Sequence, residues 1–159
     1  MSKSYRNTAS FGKRIEHYLI GKMLKEGLDV YIPMIDDDGV DAVVKRKDGT
    51  FVEVQIKARS NDVKFGDAAL FAAIYHPKVR ENYLFVFYSE RMDEMWIMTS
   101  QEFWDNSNVN KKEDSKNLGK RTIWINGKNT KLDKEHTKPQ FTDFVATDFR
   151  KIDPQLYGK

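Results

Sequence analysis

Four side chains that could hold a divalent cation and act on a phosphate lie at alternate positions in two neighbouring segments. Asp41 stands in the first segment, and Glu53, Gln55 and Lys57 follow in the second. Magnesium takes hard oxygen ligands, commonly one or two carboxylates, with water and phosphate oxygens completing an octahedron. A lysine beside such a site can hold the attacking water and offset charge that develops on the phosphate. This set of residues therefore predicts metal-assisted hydrolysis of a phosphate ester.

To act together, these side chains must share one face of a β-hairpin. Residues 40–46 and 51–59 alternate between apolar and polar side chains, with the apolar ones at even positions. A three-residue loop over residues 47–49 sets Asp41 opposite Gln55, whereas a two-residue loop would set apolar side chains opposite polar ones. We therefore predict the longer loop, with Gly49 in the left-handed conformation and the four functional side chains on one face.

The rest of the chain predicts an α/β fold with a central mixed β-sheet flanked by helices. An amphipathic helix is predicted over residues 10–26, with Ser10 as its N-cap, Gly27 after its end and Glu16 as a further candidate acid. Further strands are predicted for residues 30–34, 83–88, 95–99 and 121–126, the last of them ending in an Asn-Gly turn. Further helices are predicted for residues 67–75, 101–104 (capped by Ser100) and 141–149, with a long mobile loop over residues 105–120.

Four short motifs carry a resemblance to a known family. They are FGKRIE at residues 11–16, YIP at 31–33, DGVD at 38–41 and VQIK at 54–57. Together they resemble the PD-(D/E)XK nuclease superfamily, especially its small bacterial members with a G-[IV]-D … Q-[IV]-K signature. The resemblance is close over residues 11–59 and loose from there to about residue 104.

The resemblance implies a restriction-endonuclease-like core and cleavage of phosphodiester bonds with Mg²⁺ or Mn²⁺, in DNA more than in RNA. By position, Glu16 corresponds to the acid of the family's first helix, Asp41 to the first-strand acid and Lys57 to the lysine of the (D/E)XK element. A single domain is expected, with a core at about residues 10–104 and an extension with a basic loop over 105–159.

This chain departs from the family's pattern at one position, that of the acid before the lysine. If Lys57 is the family's lysine, the acid position holds Gln55, whose neutral carbonyl oxygen is a weaker magnesium ligand than a carboxylate. The alternative takes Glu53 as the acid and puts Gln55 in the lysine position. We favour Lys57, because glutamine cannot supply positive charge, and keep Asp41, Glu53 and Gln55 as candidate metal ligands.

Composition limits the alternatives. The chain has 159 residues, 40% of them hydrophobic, which suits one folded domain. It has no cysteine, which excludes disulfides, thiolate zinc sites and a cysteine nucleophile. None of its three histidines has a partner at metal-ligand spacing, so we assign them no role. The polar N-terminus and the lack of a long apolar run lead us to expect a cytoplasmic protein without a membrane segment.

The small net charge of +3 is the sum of two unlike regions. Residues 111–138 carry a net charge of +5, and the rest of the chain carries −2. A basic segment beside an acidic site is compatible with a nucleic-acid surface. The candidate phosphate contacts are Arg59, Lys111, Lys112, Lys120 and Arg121. A homodimer is plausible, because one domain of this size rarely encloses a duplex.

Two functions stay open at this point, with a purely structural role as a third. One is a metal-dependent endonuclease-like enzyme that cleaves DNA. The other is a catalytically inactive module of the same fold that binds nucleic acid or a protein partner. Metal-dependent cleavage separates the first two, and the salt dependence of DNA affinity separates both from the third.

Overall fold

A mixed five-stranded sheet forms the centre of the fold in a computed structural model, which describes residues 8–158. Its strands lie in the order β1-β2-β3-β5-β6, and all neighbours are antiparallel except the parallel pair β3 and β5. Numbered along the chain, they are β1 (Asp29–Tyr31), β2 (Ala42–Lys45), β3 (Phe51–Arg59), β5 (Tyr83–Ser89) and β6 (Glu94–Thr99). The predicted α/β class with a central mixed sheet is confirmed.

The β2–β3 hairpin has the predicted register. Ala42 pairs with Val54, and the amide of Asp41 donates to the carbonyl oxygen of Val54 at 2.9 Å. Gly49 has a φ of +86°, a conformation that costs other residues about 1 kcal/mol or more. Because side chains alternate across a strand, this register puts the even-numbered side chains of both strands in the core.

Helix α1 (Thr8–Lys25) and the C-terminal segment cover this even-numbered face. Leu19 and Met23 of the helix pack there with Phe149 and Ile152, and all four are fully buried. Each such side chain contributes about 2 kcal/mol by leaving water. The helix includes Ser10, so the prediction of Ser10 as N-cap was wrong, whereas Gly27 follows its end as predicted.

A second, three-stranded sheet covers the other face of the central sheet. Its strands, in the order β4-β8-β7, are β4 (Leu70–Ile74), β7 (Asn108–Val109) and β8 (Arg121–Trp124). Helix α2 (Ser100–Asn106) and the 3₁₀ helix Pro139–Phe144 complete this layer. Its core is aromatic, with Phe85, Phe87 and Phe103 fully buried. A hairpin of β9 (Asn126–Asn129) and β10 (Lys134–Thr137) and the short α3 (Pro154–Tyr157) complete the described chain.

Strand β4 replaces the helix predicted for residues 67–75. Alanine favours a helix locally, but Phe71 pairs with Ile123 of β8 and both are buried, so sheet pairing overrides that propensity. The pairing is irregular between Phe71 and Ile74, where Ala73 adopts a φ of +57°. After this bulge Ile74 is buried and Tyr75 is exposed.

Other local predictions were wrong in detail. Thr99, not Ser100, is the N-cap of α2, where it forms a capping box with Glu102. Gly127 lies inside β9 rather than in a turn, and the His136 ring would stand 3.1 Å from a Cβ there. The C-terminal helix predicted over residues 141–149 is instead the 3₁₀ helix followed by irregular chain.

The segment predicted as a mobile loop has internal order. Strand β7 leads into a series of turns that continues to the start of β8. The amide of Asn110 donates to the carbonyl oxygen of Lys120, and the amide of Gly119 donates to the carbonyl oxygen of Asn110. Because β8 then pairs with β4, this region contributes a strand to the second layer. No helix among residues 8–158 is long and apolar enough to cross a bilayer.

Candidate active site

The carboxylate of Asp41 is fixed across the β2–β3 hairpin. Asp41 directly precedes β2, and its Oδ2 accepts a hydrogen bond of 2.6 Å from the amide of Ile56. Ile56 lies between Gln55 and Lys57 on β3. The bond therefore anchors the acid beside the two other side chains that the sequence singled out.

Negative charge gathers around Asp41. The pKa of Asp41 is raised to about 6, mainly by burial and further by the nearby carboxylates of Glu16 and Asp36, while the hydrogen bond from Ile56 opposes the rise. Lys57 acts in the opposite direction. A partly buried carboxylate with two acidic neighbours and one lysine is an environment in which a bound cation is favoured. Glu16, predicted as an acid of the site, thus lies close enough to influence it, although Lys13 is paired with it at 2.7 Å.

Gln55 is held below the surface by two neighbours. It is only 7% exposed, and its Oε1 lies 2.9 Å from the hydroxyl of Tyr83. Its Nε2 faces Gly39, where a Cβ would stand 2.7 Å away. Gly39 has a φ of +66°, so both the conformation and the close approach require glycine. The amide therefore has a defined position next to Asp41's strand.

The carboxylate of Glu53 forms an ion pair with Arg80. Its Oε2 accepts a hydrogen bond of 2.5 Å from Nη2 of Arg80, whose Nη1 donates to the carbonyl oxygen of Asp38. The Arg80 guanidinium also lies over the Tyr83 ring, 4.3 Å from its centroid. Arg80 thus neutralises the charge of Glu53. This geometry favours Gln55 over Glu53 as the partner of Asp41.

Lys57 and Gln55 face a groove of about 680 Å³ between the hairpin and the second sheet. No hydrogen bond or ion pair within residues 8–158 holds the Lys57 ammonium. The opposite wall carries the exposed side chains of Tyr75 and Lys78, together with Lys120. The groove therefore places Gln55 and Lys57 opposite a basic wall with an exposed aromatic ring.

His76 belongs to the floor of the groove. It is 2% exposed, its Nε2 lies 2.6 Å from Oγ of Ser100, and Ser100 in turn accepts from the amide of Arg80. Burial, together with the charges of Arg80 and Arg121, lowers the pKa of His76 to about 4. The imidazole is therefore neutral near pH 7, and its contacts support the chain segment that presents Arg80.

The five candidate phosphate contacts have different surroundings. Lys120 lines the groove, and Lys111 and Lys112 are exposed on the loop between β7 and β8. Arg59 is partly buried, and its Nε donates to the carbonyl oxygen of Asp67 at 3.3 Å. Arg121 is 7% exposed, its guanidinium lies 3.6 Å from the centroid of the Trp104 ring, and it donates to Ser107. Arg121 therefore packs within the protein instead of facing solvent.

Two residues of the site were not singled out from the sequence. Tyr83 was predicted only as part of the strand over residues 83–88, and Arg80 was assigned no role. The parallel pairing of β3 with β5 brings Tyr83 opposite Glu53, and no local pattern marks that register.

The donor set fits a hydrated magnesium ion better than a closed protein cage. Within residues 8–158, no group of three histidine or acidic side chains gathers to hold a metal. Magnesium sites commonly use one or two carboxylates and leave the other positions to water and substrate phosphate. Asp41, with the neutral oxygen of Gln55 and the carboxylates of Asp36 and Glu16 nearby, meets that need.

No protein-family model matches the sequence, and no curated protein matches it. Among solved structures, the fold is similar to that of the bacterial homing endonuclease I-Ssp6803I, with 19% sequence identity and a TM-score of 0.50. The similarity covers 72% of this chain and 88% of the endonuclease chain. At this identity the likeness speaks for the fold alone. The chain thus has an α/β fold that is similar to the fold of a nuclease.

Proposed function

We propose that the protein is a metal-dependent endonuclease of the PD-(D/E)XK type that hydrolyses phosphodiester bonds in DNA. The observation that carries the proposal is the Asp41 carboxylate, which is anchored across the hairpin beside Gln55 and Lys57, the two side chains that line a groove with a basic wall. The similarity of the fold to that of a bacterial homing endonuclease supports it. Mg²⁺ or Mn²⁺ is the proposed cofactor, and duplex DNA is the proposed partner.

Each side chain has a distinct part in the proposed reaction. Asp41 and Gln55 would hold the cation, with Glu16 and Asp36 adding negative charge around it. A cation bound there supplies neutralisation of the phosphate charge and lowers the pKa of the attacking water. Lys57, free of other partners among the described residues, orients that water and stabilises the charge of the transition state. Glu53 holds Arg80, and through it the acidic turn at Asp38.

DNA would lie along the groove and over the basic loop beyond it. Lys78 and Lys120 face the groove, and Lys111 and Lys112 extend the positive surface along the loop. The exposed ring of Tyr75 lines the same groove, where it can stack against a base or sugar. Backbone contacts of this kind position a duplex without selecting its sequence.

The proposed function is tested with the purified wild-type chain and supercoiled plasmid, linear duplex, single-stranded DNA and RNA. Nicking or linearisation of DNA in Mg²⁺ or Mn²⁺, abolished by EDTA, is the expected result. Gln55→Ala is expected to remove that activity, whereas Glu53→Gln is expected to keep most of it, because Glu53 is paired with Arg80.

Binding without cleavage of any substrate would favour the inactive module, which the amide at the acid position makes the natural alternative. If the protein neither binds nor cleaves any of these nucleic acids, the hypothesis that remains is a purely structural role. Equal loss of cleavage in Glu53→Gln and Gln55→Ala would reopen the choice between these two residues as the partner of Asp41.

Removing Lys78 and Lys120, the two lysines of the basic wall, is expected to weaken DNA binding about tenfold at moderate salt. Each phosphate contact that is lost lowers the slope of log affinity against log salt by about 1, so Lys78→Ala/Lys120→Ala should lower it by about 2. Lys22→Ala/Lys25→Ala is the matched control, because these lysines are exposed at the end of α1 and do not line the groove. Fluorescence anisotropy with a labelled duplex in Ca²⁺ measures both quantities. If the slope of log affinity against log salt is equal in the two double variants, the DNA does not bind along the groove.

A further inference from the structure

A single phenolic proton lies between two oxygen atoms beside the candidate site. The hydroxyl oxygen of Tyr83 is 2.5 Å from the carbonyl oxygen of Gly39 and 2.9 Å from Oε1 of Gln55. A phenol has one proton to donate, and neither of the other two oxygens can donate one. The closer oxygen, that of Gly39, takes the proton. Tyr83 and Oε1 of Gln55 would then face each other with no hydrogen between them.

Turning the Gln55 amide over removes this conflict. The oxygen and nitrogen of a glutamine amide occupy nearly equivalent positions, and their hydrogen-bond partners decide which is which. With Nε2 towards Tyr83, the amide donates to the phenol oxygen while the phenol donates to Gly39. All three groups are then satisfied by one chain of hydrogen bonds.

The turned amide presents its oxygen beside Gly39. The amide atom at that position has no hydrogen-bond partner among residues 8–158, and it is not sealed from solvent. Gly39 and Gln55 both line the groove, and the absence of a Cβ on Gly39 leaves that atom room. An unpartnered carbonyl oxygen next to the anchored Asp41 has the chemistry of a neutral ligand for a hard cation.

We propose that Tyr83 is a positioning residue that turns the carbonyl oxygen of Gln55 towards the groove as the second ligand for the metal ion. This deepens the proposed function and rests on it for the metal, but not for the orientation of the amide. It also explains how a glutamine serves at the acid position. A carboxylate offers an acceptor oxygen on either side, whereas an amide works only in one of its two orientations.

The orientation can be measured without any metal. In a ¹⁵N-edited NOESY spectrum, the side-chain amide protons of Gln55 are expected to show contacts to the ring protons of Tyr83. Contacts to the α protons of Gly39 are expected to be weaker than those to Tyr83, because the turned amide nitrogen takes the position that lies farther from Gly39. The reverse order of intensities, stronger to Gly39 than to Tyr83, would overturn the proposal.

The role in metal binding is tested by Tyr83→Phe, with Tyr88→Phe as the matched control. Tyr88 lies on the same strand, but its hydroxyl faces Asp93 and is remote from Gln55. Loss of the Tyr83 hydroxyl frees the amide to turn, so the affinity for Mn²⁺, measured by calorimetry or EPR, is expected to fall about fivefold. Tyr88→Phe is expected to bind Mn²⁺ like the wild type.

A rescue separates positioning from general damage. Adding Gln55→Glu to Tyr83→Phe is expected to restore the affinity for Mn²⁺, because a carboxylate needs no choice of orientation. Unchanged affinity in Tyr83→Phe, or a loss that Gln55→Glu does not restore, would overturn the role of Tyr83. A wild type that binds no Mn²⁺ would instead refute the proposed function and the ligand role, while the NOESY result would still decide the orientation.

Discussion

Asp41→Asn is expected to abolish metal-dependent cleavage and, at the same time, to stabilise the metal-free protein near neutral pH. The amide keeps an oxygen that can accept the hydrogen bond from Ile56, so the hairpin anchor is retained. It removes the negative charge that the cation needs, and cleavage is expected to fall at least a thousandfold, or about 4 kcal/mol of activation free energy.

The stabilisation follows from the raised pKa of Asp41. The carboxyl has a pKa of about 6 in the folded protein and an ordinary value of 3.8 when exposed, so folding favours its protonated form. Wild-type stability is therefore expected to fall as pH rises from about 4 to about 6, and the variant lacks that fall. Allowing for partial exposure, the variant should be about 1–2 kcal/mol more stable at pH 7.5 and little different at pH 4.

Thermal unfolding in EDTA at a series of pH values measures this difference, and plasmid cleavage measures the activity. Asp48→Asn in the same hairpin is the control, because hydrogen bonds from Thr50 hold the pKa of Asp48 below its usual range. It is expected to leave cleavage intact and to give no stabilisation. If the Asp41→Asn protein cleaves DNA at the wild-type rate, Asp41 is not part of the active site.

The opposed effects of this substitution reflect how the site is built. Burial beside Glu16 and Asp36 makes the ionised form of Asp41 costly in the metal-free chain. That cost would be recovered when a cation binds among these carboxylates. A site arranged in this way lowers the stability of the metal-free protein in favour of binding a cation. A carboxylate with a purely structural role would not destabilise the protein.

The hairpin could be predicted from the sequence because its information is local. Strict alternation on two short strands allows only one register, and Gly49 allows the loop that this register needs. The shared face of Asp41, Gln55 and Lys57 follows from the same alternation. The common face of these candidate residues can therefore be predicted from the sequence alone.

The supports of the site depend on long-range pairing and could not be predicted in that way. Strand β5 is apolar on both faces, so its sequence gives no preferred register against β3. The position of Tyr83 near Gln55 could therefore not be predicted from the sequence. Strand β4 was mistaken for a helix because alanine propensity is local, whereas its pairing partner β8 lies about 50 residues further along the chain. Arg80 gains its role only through the contacts with Glu53 and Asp38.

Lys57→Met is expected to lower the rate of cleavage about a thousandfold while leaving DNA affinity in Ca²⁺ within a few-fold of the wild type. Methionine keeps most of the length of the side chain and removes the ammonium, so the groove keeps its shape. Loss of a group that orients the nucleophile and stabilises the transition state costs about 10²–10⁴-fold in rate. Lys45→Met is the control, because Lys45 is exposed on the neighbouring strand and has no place in the groove.

The pH dependence of the loss separates two ways in which Lys57 could act. Lys57 lowers the pKa of Asp41, so its removal is expected to raise that pKa above about 6. If the lysine acted only by keeping Asp41 ionised, the variant would regain its activity at pH 8.5, where the carboxyl is ionised in both proteins. A lysine that acts on the water or the phosphate gives a loss that persists at pH 8.5. We expect the loss to persist, and full recovery would assign Lys57 to the support of Asp41 alone.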